Sequence, residues 1–169
     1  PVAYEGFDIR QDSAGDGRYR GGLGARLKIR FLCEGALGVE TARTREGTPG
    51  VNGGMRSAPQ RLWHLHANGR QEVVGGMTED GQWRNPLLRG HKLSHGDTFL
   101  FETTGGGGWG SPLERPVQDV LDDVLDDYIS LAKARDVYGV VIEPNKQTVE
   151  NEATEKLRTR LREASEAMS

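Results

Sequence analysis

The chain has 169 residues and a formal net charge of -3, and its negative charge is concentrated in residues 116–169, which carry 12 acidic and 7 basic side chains. Neither part is basic enough for a nucleic-acid-binding surface, and no apolar run approaches the ~20 residues of a membrane-spanning helix. The single cysteine, Cys33, excludes an intramolecular disulfide and a cysteine-based metal cluster, and it is compatible with a reducing cytoplasm. The start lacks the features of a signal peptide, and Pro1 suggests that the natural chain begins further upstream or was cut here.

Glycine takes the place of apolar side chains in the first part of the chain. Hydrophobic residues make up 35% of the sequence, whereas 24 residues are glycine, and all of these except Gly139 precede Pro116. Glycine buries no side chain and loses the most backbone entropy on folding. We therefore expect the chain to gain burial by packing against other protein surface, such as a neighbouring subunit.

Residues 1–115 are predicted to form a glycine-rich antiparallel β-sheet, either a sandwich or a barrel-like sheet. Alternation is clearest in residues 25–33, which places Cys33 on the apolar, buried face of a strand. Asn68 and Gly69 predict a hairpin turn, and residues 95–97 predict a second turn. The predicted strands are 2–9, 25–33, 61–66, 71–74, 87–93 and 98–102.

Residues 116–169 are predicted to form a small helical region that packs on the β region or on a partner subunit, which makes the chain an α+β protein. Apolar residues recur at helical spacing after Pro116, and the acidic pairs at 122–123 and 126–127 are predicted to lie on the solvated face of that helix. Ser130 is predicted to cap a second helix and Gly139 to end it. The other predicted elements are helix 131–137, strand 140–142 and an exposed helix over 151–167.

Two glycine-rich segments and their flanks are distinctive. Residues 12–24 read DSAGDGRYRGGLG, residues 103–112 read TTGGGGWGSP, and residues 138–141 read YGVV. In order and spacing, these segments resemble the hydantoinase B/oxoprolinase family, which includes the related acetone and acetophenone carboxylase subunits. Ala14 and Asp16 depart from the family's usual residues, whereas Trp109 stands where an aromatic is expected. The resemblance covers nearly the whole chain, which matches the C-terminal portion of a family subunit.

This resemblance implies a place in a cytoplasmic, ATP-dependent, multi-subunit enzyme. The leading interpretation is the C-terminal portion of the B-type subunit of a cyclic-amide hydrolase that acts on hydantoins or 5-oxoproline. The alternatives are the matching portion of a ketone carboxylase and a scaffolding subunit without a catalytic role. Family likeness further implies that ATP with Mg is bound by a hydantoinase A-type subunit, that the remainder of the B-type subunit completes the hetero-oligomer, and that any divalent metal lies in the upstream part. No metal, nucleic acid or membrane is therefore assigned to this chain.

The candidate site residues are those that could meet an anionic, phosphorylated or carboxylated intermediate. Arg18 and Arg20 could supply charge beside Gly21 and Gly22, and Asp12 could orient one of the two guanidinium groups. The alternative is that these arginines brace structural turns. The candidate glycine-rich loop, which does not match the P-loop pattern and is expected to pack on a neighbouring subunit, contains Gly105, Gly106, Gly107, Gly108 and Gly110.

The histidines are not assigned to a metal site. His64 and His66 share one face of a predicted strand, but the sequence identifies no third ligand, so core or interface positions are favoured. His91 and His95 flank a strand–turn transition and are not expected to share a ligand face.

Overall fold

The computed structural model describes residues 1–143, 145 and 147–167. Within them, residues 1–102 contain most of the strands, and three helices follow residue 116. This is the α+β arrangement that the sequence predicts. The strands are β1 Val2–Arg10, β2 Gly24–Phe31, β3 Gly35–Val39, β4 Arg61–Leu65, β5 Gln71–Met77, β6 Trp83–Arg84, β7 Leu88–Leu93, β8 Thr98–Glu102, β9 Ile142–Glu143 and β10 Thr148–Val149. The helices are α1 Val117–Leu125, α2 Leu131–Asp136 and α3 Asn151–Glu166, after a 3-10 turn at Pro112–Glu114.

The main sheet has six strands in the order β1-β2-β8-β4-β5-β6, and all neighbours within it are antiparallel. The hairpin between β4 and β5 turns at Gly69, whose φ of 89° suits the residue the sequence placed there. A second turn leads into β8 at Gly96, with a φ of 88°. Because β1 and β6 are both edges, this sheet is open.

A second, two-stranded sheet, formed by β3 and β7, packs on the main sheet. Phe31, Leu62, Leu93 and Phe99 are buried between the two sheets. The architecture is therefore sandwich-like, and the barrel-like alternative is excluded for the described residues. Neither β3 nor β6 was predicted, because the two glycines of Gly35–Val39 obscure any alternation and Trp83–Arg84 is too short to show a pattern.

The predicted burial of Cys33 is wrong. Strand β2 ends at Phe31, and the chain bends at the next two residues, so Cys33 is exposed. The pairing of β2 ends where the N–H of Phe31 donates to the carbonyl of Asp97, just before β8, and the bend that follows interrupts the alternation. Local periodicity could not reveal this tertiary hydrogen bond.

The helical region has its own small core, made of Val120, Ile129, Ala134, Tyr138 and Val140. Ser130 caps α2 as predicted, since its hydroxyl accepts a hydrogen bond from the N–H of Lys133. Gly139 has a φ of 64° and follows the end of α2, as its predicted role requires. None of the helices in the described residues is long and apolar enough to cross a membrane.

Candidate functional site

The glycine-rich segments pack on one another as bare backbone. We call this packing unit the glycine layer, and it comprises residues 13–24, 47–57 and 103–110. A Cβ on Gly107 would collide with the carbonyl of Pro49, and one on Gly21 would collide with the carbonyl of Gly106. Other glycines of the layer that would collide with main chain of another segment are Gly15, Gly17, Gly24, Gly54, Gly105 and Gly108. These close approaches require glycine.

Hydrogen bonds between the three segments hold the layer together. The N–H of Gly15 donates to the carbonyl of Gly106 at 2.8 Å, and the N–H of Gly106 donates to the carbonyl of Gly22 at 2.8 Å. The N–H of Gly108 donates to the carbonyl of Met55 at 3.0 Å. These hydrogen bonds pair backbone groups of different segments within the chain itself.

The expectation that the run from Gly105 to Gly108 packs on a neighbouring subunit is therefore wrong for the Cα faces of Gly105, Gly107 and Gly108, which meet the chain's own backbone. The N–H groups of Gly106, Gly108 and Gly110 are likewise committed to internal carbonyls and do not form an anion cradle. Composition signals close backbone packing, but it does not say which backbone is the partner. Gly22, in the first segment of the glycine layer, differs from these residues, because a Cβ there would meet open space.

Arg20 is bound by a carboxylate from the helical region. Its Nε lies 3.0 Å from Oδ2 of Asp123, its Nη2 lies 3.0 Å from Oδ1, and its Nη1 donates to the carbonyl of Gly21. Arg115 adds a second guanidinium 2.9 Å from Oδ2 of Asp123. Asp123 is 6% exposed, so the predicted solvated position of this aspartate is wrong. The geometry makes Arg20 a brace between the glycine layer and α1.

Asp12 does not orient either arginine, contrary to expectation. Its carboxylate accepts the N–H of Ser130, its own N–H donates to the carbonyl of Tyr128, and its carbonyl accepts Nζ of Lys133. Asp12 has a φ of 59°, a conformation that aspartate tolerates better than most residues. The turn at Asp12 therefore holds the start of α2 against the glycine layer.

Asp16 forms the deepest link between the glycine layer and the helices. Its Oδ1 accepts the phenolic O–H of Tyr138 at 2.8 Å, and its Oδ2 lies 3.0 Å from Nζ of Lys133. Burial and the neighbouring Asp16 carboxylate raise the pKa of Tyr138 well above its usual value. Asp16, which departs from the family's usual residue, is thus fully engaged in the fold.

Arg18 is the guanidinium of the predicted pair that reaches solvent. Its side chain is 50% exposed and lies 4.0 Å from an exposed carboxylate, that of Glu114, a contact that is weak in water. The neighbouring Tyr19 and Trp109 pair backbone to backbone, with ring centroids 5.6 Å apart, and both rings are largely exposed. We call this surface, formed by Arg18, Tyr19, Val51 and Trp109, the aromatic face.

A buried carboxylate, Glu102, binds side chains from three other strands of the main sheet, and one of these, Arg10, also donates to the carbonyl of Thr103 in the glycine layer at 3.0 Å. Glu102 lies 2.8 Å from Nε of Arg26 and 3.6 Å from Nη2 of Arg10, and it accepts the indole N–H of Trp63 at 3.1 Å. Burial alone would raise the pKa of Glu102, but Arg26 and Arg10 outweigh burial and lower it. The network fixes the point at which the glycine run begins.

Three histidines meet at the opposite side of β4. His64 is buried, its ring stacks on that of His66 with centroids 3.7 Å apart, and its Nδ1 lies 3.0 Å from Nε2 of His91. Nε2 of His66 lies 3.0 Å from Oε1 of Glu72. The structure thus places Glu72, from strand β5, beside the two histidines. The sequence could not identify this third candidate ligand. His95, by contrast, is exposed in the turn before β8.

Asp97 fixes the ring of His64 through a hydrogen bond with its Nε2. Its Oδ2 lies 2.9 Å from Nε2 of His64, and its two oxygens also accept the N–H groups of Ser94 and Ala67. Burial would raise the pKa of Asp97, but these N–H groups and His64 outweigh it and lower the pKa to about 2. Burial, followed by repulsion from His64, lowers the pKa of His91.

Comparison with known proteins matches the hydantoinase B/oxoprolinase family model over residues 1–112. The beta subunit of the caprolactamase of Pseudomonas jessenii is 34% identical over 87% of this chain and 24% of its own length. Curated relatives are thus matched over about a quarter of their length.

Two solved structures share the architecture. The ATP-dependent caprolactamase from Pseudomonas jessenii superposes with a TM-score of 0.76 at 28% identity, over 94% of this chain and 26% of that one. A nucleotide-free acetone carboxylase superposes with a TM-score of 0.70 at 25% identity, over 100% of this chain and 26% of that one. Both likenesses extend across the glycine layer and the helices that brace it.

Proposed function

Because this chain belongs to the hydantoinase B/oxoprolinase family, we propose that it forms the C-terminal portion of the B-type subunit of an ATP-dependent cyclic-amide hydrolase. The observation that carries this proposal is the likeness to a caprolactamase, an enzyme named for a cyclic amide, in both sequence and structure. A hydantoinase from a Pseudomonas species and the 5-oxoprolinase of Saccharomyces cerevisiae are relatives that are also named for cyclic amides.

The proposed division of labour places nucleotide chemistry outside this chain. A hydantoinase A-type subunit would bind ATP with Mg and activate the substrate, and the remainder of the B-type subunit would hold any divalent metal of the reaction. Relatives whose names denote one subunit among several support a hetero-oligomer. Dependence on ATP also favours the cytoplasm, where ATP is available.

Within this division, we assign Arg18 the role of facing the anionic intermediate. The donors of Arg20 are taken by Asp123 and Gly21. Arg18 makes a long contact with exposed Glu114 and lies over the ring of Tyr19 at 5.7 Å, and these contacts leave donor groups available. Gly22, whose Cα faces open space, would allow close approach to the same surface. Asp12, Arg20 and Gly21 would act as supports that fix this loop.

Two exposed apolar surfaces fit partners of the assembled enzyme. The aromatic face carries Tyr19 at 61% exposure and Trp109 at 45%. Edge strand β1 carries Tyr4 and Phe7, each 75% exposed. Large aromatic side chains on an open sheet edge are an aggregation hazard unless covered. We propose that the remainder of the B-type subunit covers β1 and that the aromatic face lies towards a partner.

The second candidate function, a ketone carboxylase subunit, is favoured by the acetone carboxylase superposition over the full chain. Purified complex containing the full-length subunit with its A-type partner would be assayed for ATP hydrolysis. Hydantoin, 5-oxoproline and caprolactam would be compared with acetone or acetophenone plus bicarbonate. Turnover with a cyclic amide supports the proposal, whereas ketone- and bicarbonate-dependent turnover alone would replace it with the carboxylase.

A scaffolding role without catalysis is the third candidate, and it is favoured by the internal hydrogen bonds of Gly106, Gly108 and Gly110 in the glycine layer. It predicts that substitutions on the aromatic face reduce assembly while the turnover of each assembled complex is unchanged. Measuring both quantities on the same preparation separates this candidate from the two catalytic ones.

A further inference from the structure

We propose that His64, His66, Glu72 and His91 form a binding site for a divalent transition metal ion of the zinc class, which fastens the two sheets of the sandwich together. The inference is independent of the reaction assigned above, because it concerns metal binding by residues of β4, β5 and β7 and by His66, which directly follows β4. It rests on three ligand atoms that lie close together, on a ring nitrogen of His91 beside one of them, and on a carboxylate that orients His64.

The ligand atoms have the spacing that such an ion needs. One ligand atom from each of His64, His66 and Glu72 lies within 4.8 Å of the other two. Oε1 of Glu72 is 3.0 Å from Nε2 of His66 and 3.9 Å from Nδ1 of His64. Tetrahedral coordination with bonds of about 2.0–2.1 Å separates ligand atoms by about 3.4 Å. The three atoms lie near this spacing, and rotation of the stacked rings of His64 and His66 would aim their lone pairs at a common ion.

Asp97 presents the correct nitrogen of His64 to this centre. The Asp97 carboxylate can only accept, so Nε2 of His64 donates the hydrogen of the 2.9 Å bond. The lone pair then lies on Nδ1, which faces Glu72 and His91. A carboxylate that fixes the tautomer of a ligating histidine is the usual support of zinc sites. Two backbone N–H groups hold Asp97 itself.

His91, from the second sheet, lies beside this group of three and would be the fourth ligand. Its Nε2 lies 3.0 Å from Nδ1 of His64, and in the metal-free arrangement it donates its hydrogen to the same lone pair that would bind the ion. Metal binding would replace this hydrogen bond with two bonds to the ion. Since His64 and Glu72 belong to the main sheet and His91 to the β3–β7 sheet, the ion would cross-link both layers.

The donor set selects the class of metal. Three imidazoles and one carboxylate suit zinc and its first-row neighbours, whereas magnesium and calcium prefer oxygen ligands. His64 is buried, but Glu72 and His91 line an open groove of about 630 Å³, which gives an ion a path from solvent. The groove also carries the carboxylates of Glu79 and Asp80, which would attract a cation.

Metal content of the full-length subunit in its complex tests the site. Wild-type complex and variants would be stripped with a chelator, equilibrated with Zn²⁺ in the presence of a weak competing chelator, and analysed by elemental mass spectrometry. The variants are Glu72→Gln and the double variant His66→Gln with His91→Gln. His95→Gln is the matched control, because His95 is exposed and lies outside the cluster.

We expect wild type and His95→Gln to retain about one more zinc per subunit than the cluster variants, because each cluster variant loses at least one of about four ligands. Asp97→Asn should weaken zinc affinity about 10–100-fold, because it supports a ligand. Equal zinc content in wild type and in Glu72→Gln would overturn the site. Glu72→Gln keeps the test decisive if the double variant does not fold, because Glu72 is 38% exposed and its amide replacement preserves shape. Zinc content is independent of turnover, so failure here leaves the proposed reaction untouched.

Discussion

The guanidinium of Arg20 and the carboxylate of Asp123 are 103 residues apart in sequence and meet through two hydrogen bonds of 3.0 Å each. This ion pair fastens the glycine layer to α1, and Arg115 shares the same carboxylate. Two-point guanidinium–carboxylate contacts are strong and geometrically specific. Because the three side chains are largely buried, none of them can lose its partner without leaving a charge in a poorly solvated place.

Replacing Asp123 with Ala should therefore destabilise the subunit strongly. Removing one partner of a buried ion pair costs about 3–5 kcal/mol, and here two guanidinium groups lose their acceptor. Urea unfolding of the full-length subunit measures the loss. The matched control is Asp122→Ala on the solvated side of α1, which should change the free energy of unfolding by less than about 0.5 kcal/mol. Similar values for the two variants would contradict the bracing role.

Two glycine-to-alanine substitutions should have opposite outcomes. Gly107→Ala places a Cβ against the carbonyl of Pro49, and backbone on both sides cannot yield, so we expect a loss of at least about 3 kcal/mol. Gly22→Ala meets open space and should be neutral or gain up to about 1 kcal/mol through a less flexible unfolded chain. Thermal unfolding of both variants is the measurement. A stable Gly107→Ala protein would show that the glycine layer is not closely packed.

Tyr138 should give the subunit an alkaline limit of stability. Burial and Asp16 raise the pKa of Tyr138, whereas the unfolded chain ionises this group at about 10. The unfolded state therefore releases its proton first, and the stabilisation present below about pH 10 is lost as the pH rises further. Tyr138→Phe should be about 1–3 kcal/mol less stable near neutral pH and should show a flatter decline above pH 10. Parallel slopes for both proteins would contradict this coupling.

Arg18 should matter for turnover and not for stability. Its side chain is half exposed and weakly paired, so Arg18→Ala should leave the unfolding free energy within about 0.5 kcal/mol of wild type. If Arg18 faces the anionic intermediate, turnover per assembled complex should fall roughly tenfold or more, with partial recovery in Arg18→Lys. Arg135→Ala removes another exposed arginine, paired with Asp136, and serves as control. Normal turnover in an intact Arg18→Ala complex would contradict the role assigned to Arg18.

The sequence by itself determined the elements whose signals are local. Alternation in β2, the turn at Gly69 and the apolar stripe of α1 each report a period or a backbone conformation that neighbouring residues impose. The order of the glycine motifs was likewise enough to identify the family resemblance. These glycines occupy positions where close backbone packing leaves no room for a side chain. Ser130 could be recognised as a helix cap because the N–H that it accepts belongs to a residue only three positions away.

Only the tertiary structure decided which surfaces meet. Glycine at position 107 indicates that other backbone packs closely against it. The partner, the carbonyl of Pro49, is 58 residues away in sequence and has no local signature. The same holds for Asp123, whose neighbour Asp122 is exposed, and for His64, whose partners come from β5, β7 and the turn before β8. Sequence periodicity encodes the direction of a side chain relative to its own element. The identity of the group it meets depends on long-range packing, which no single segment of this chain contains.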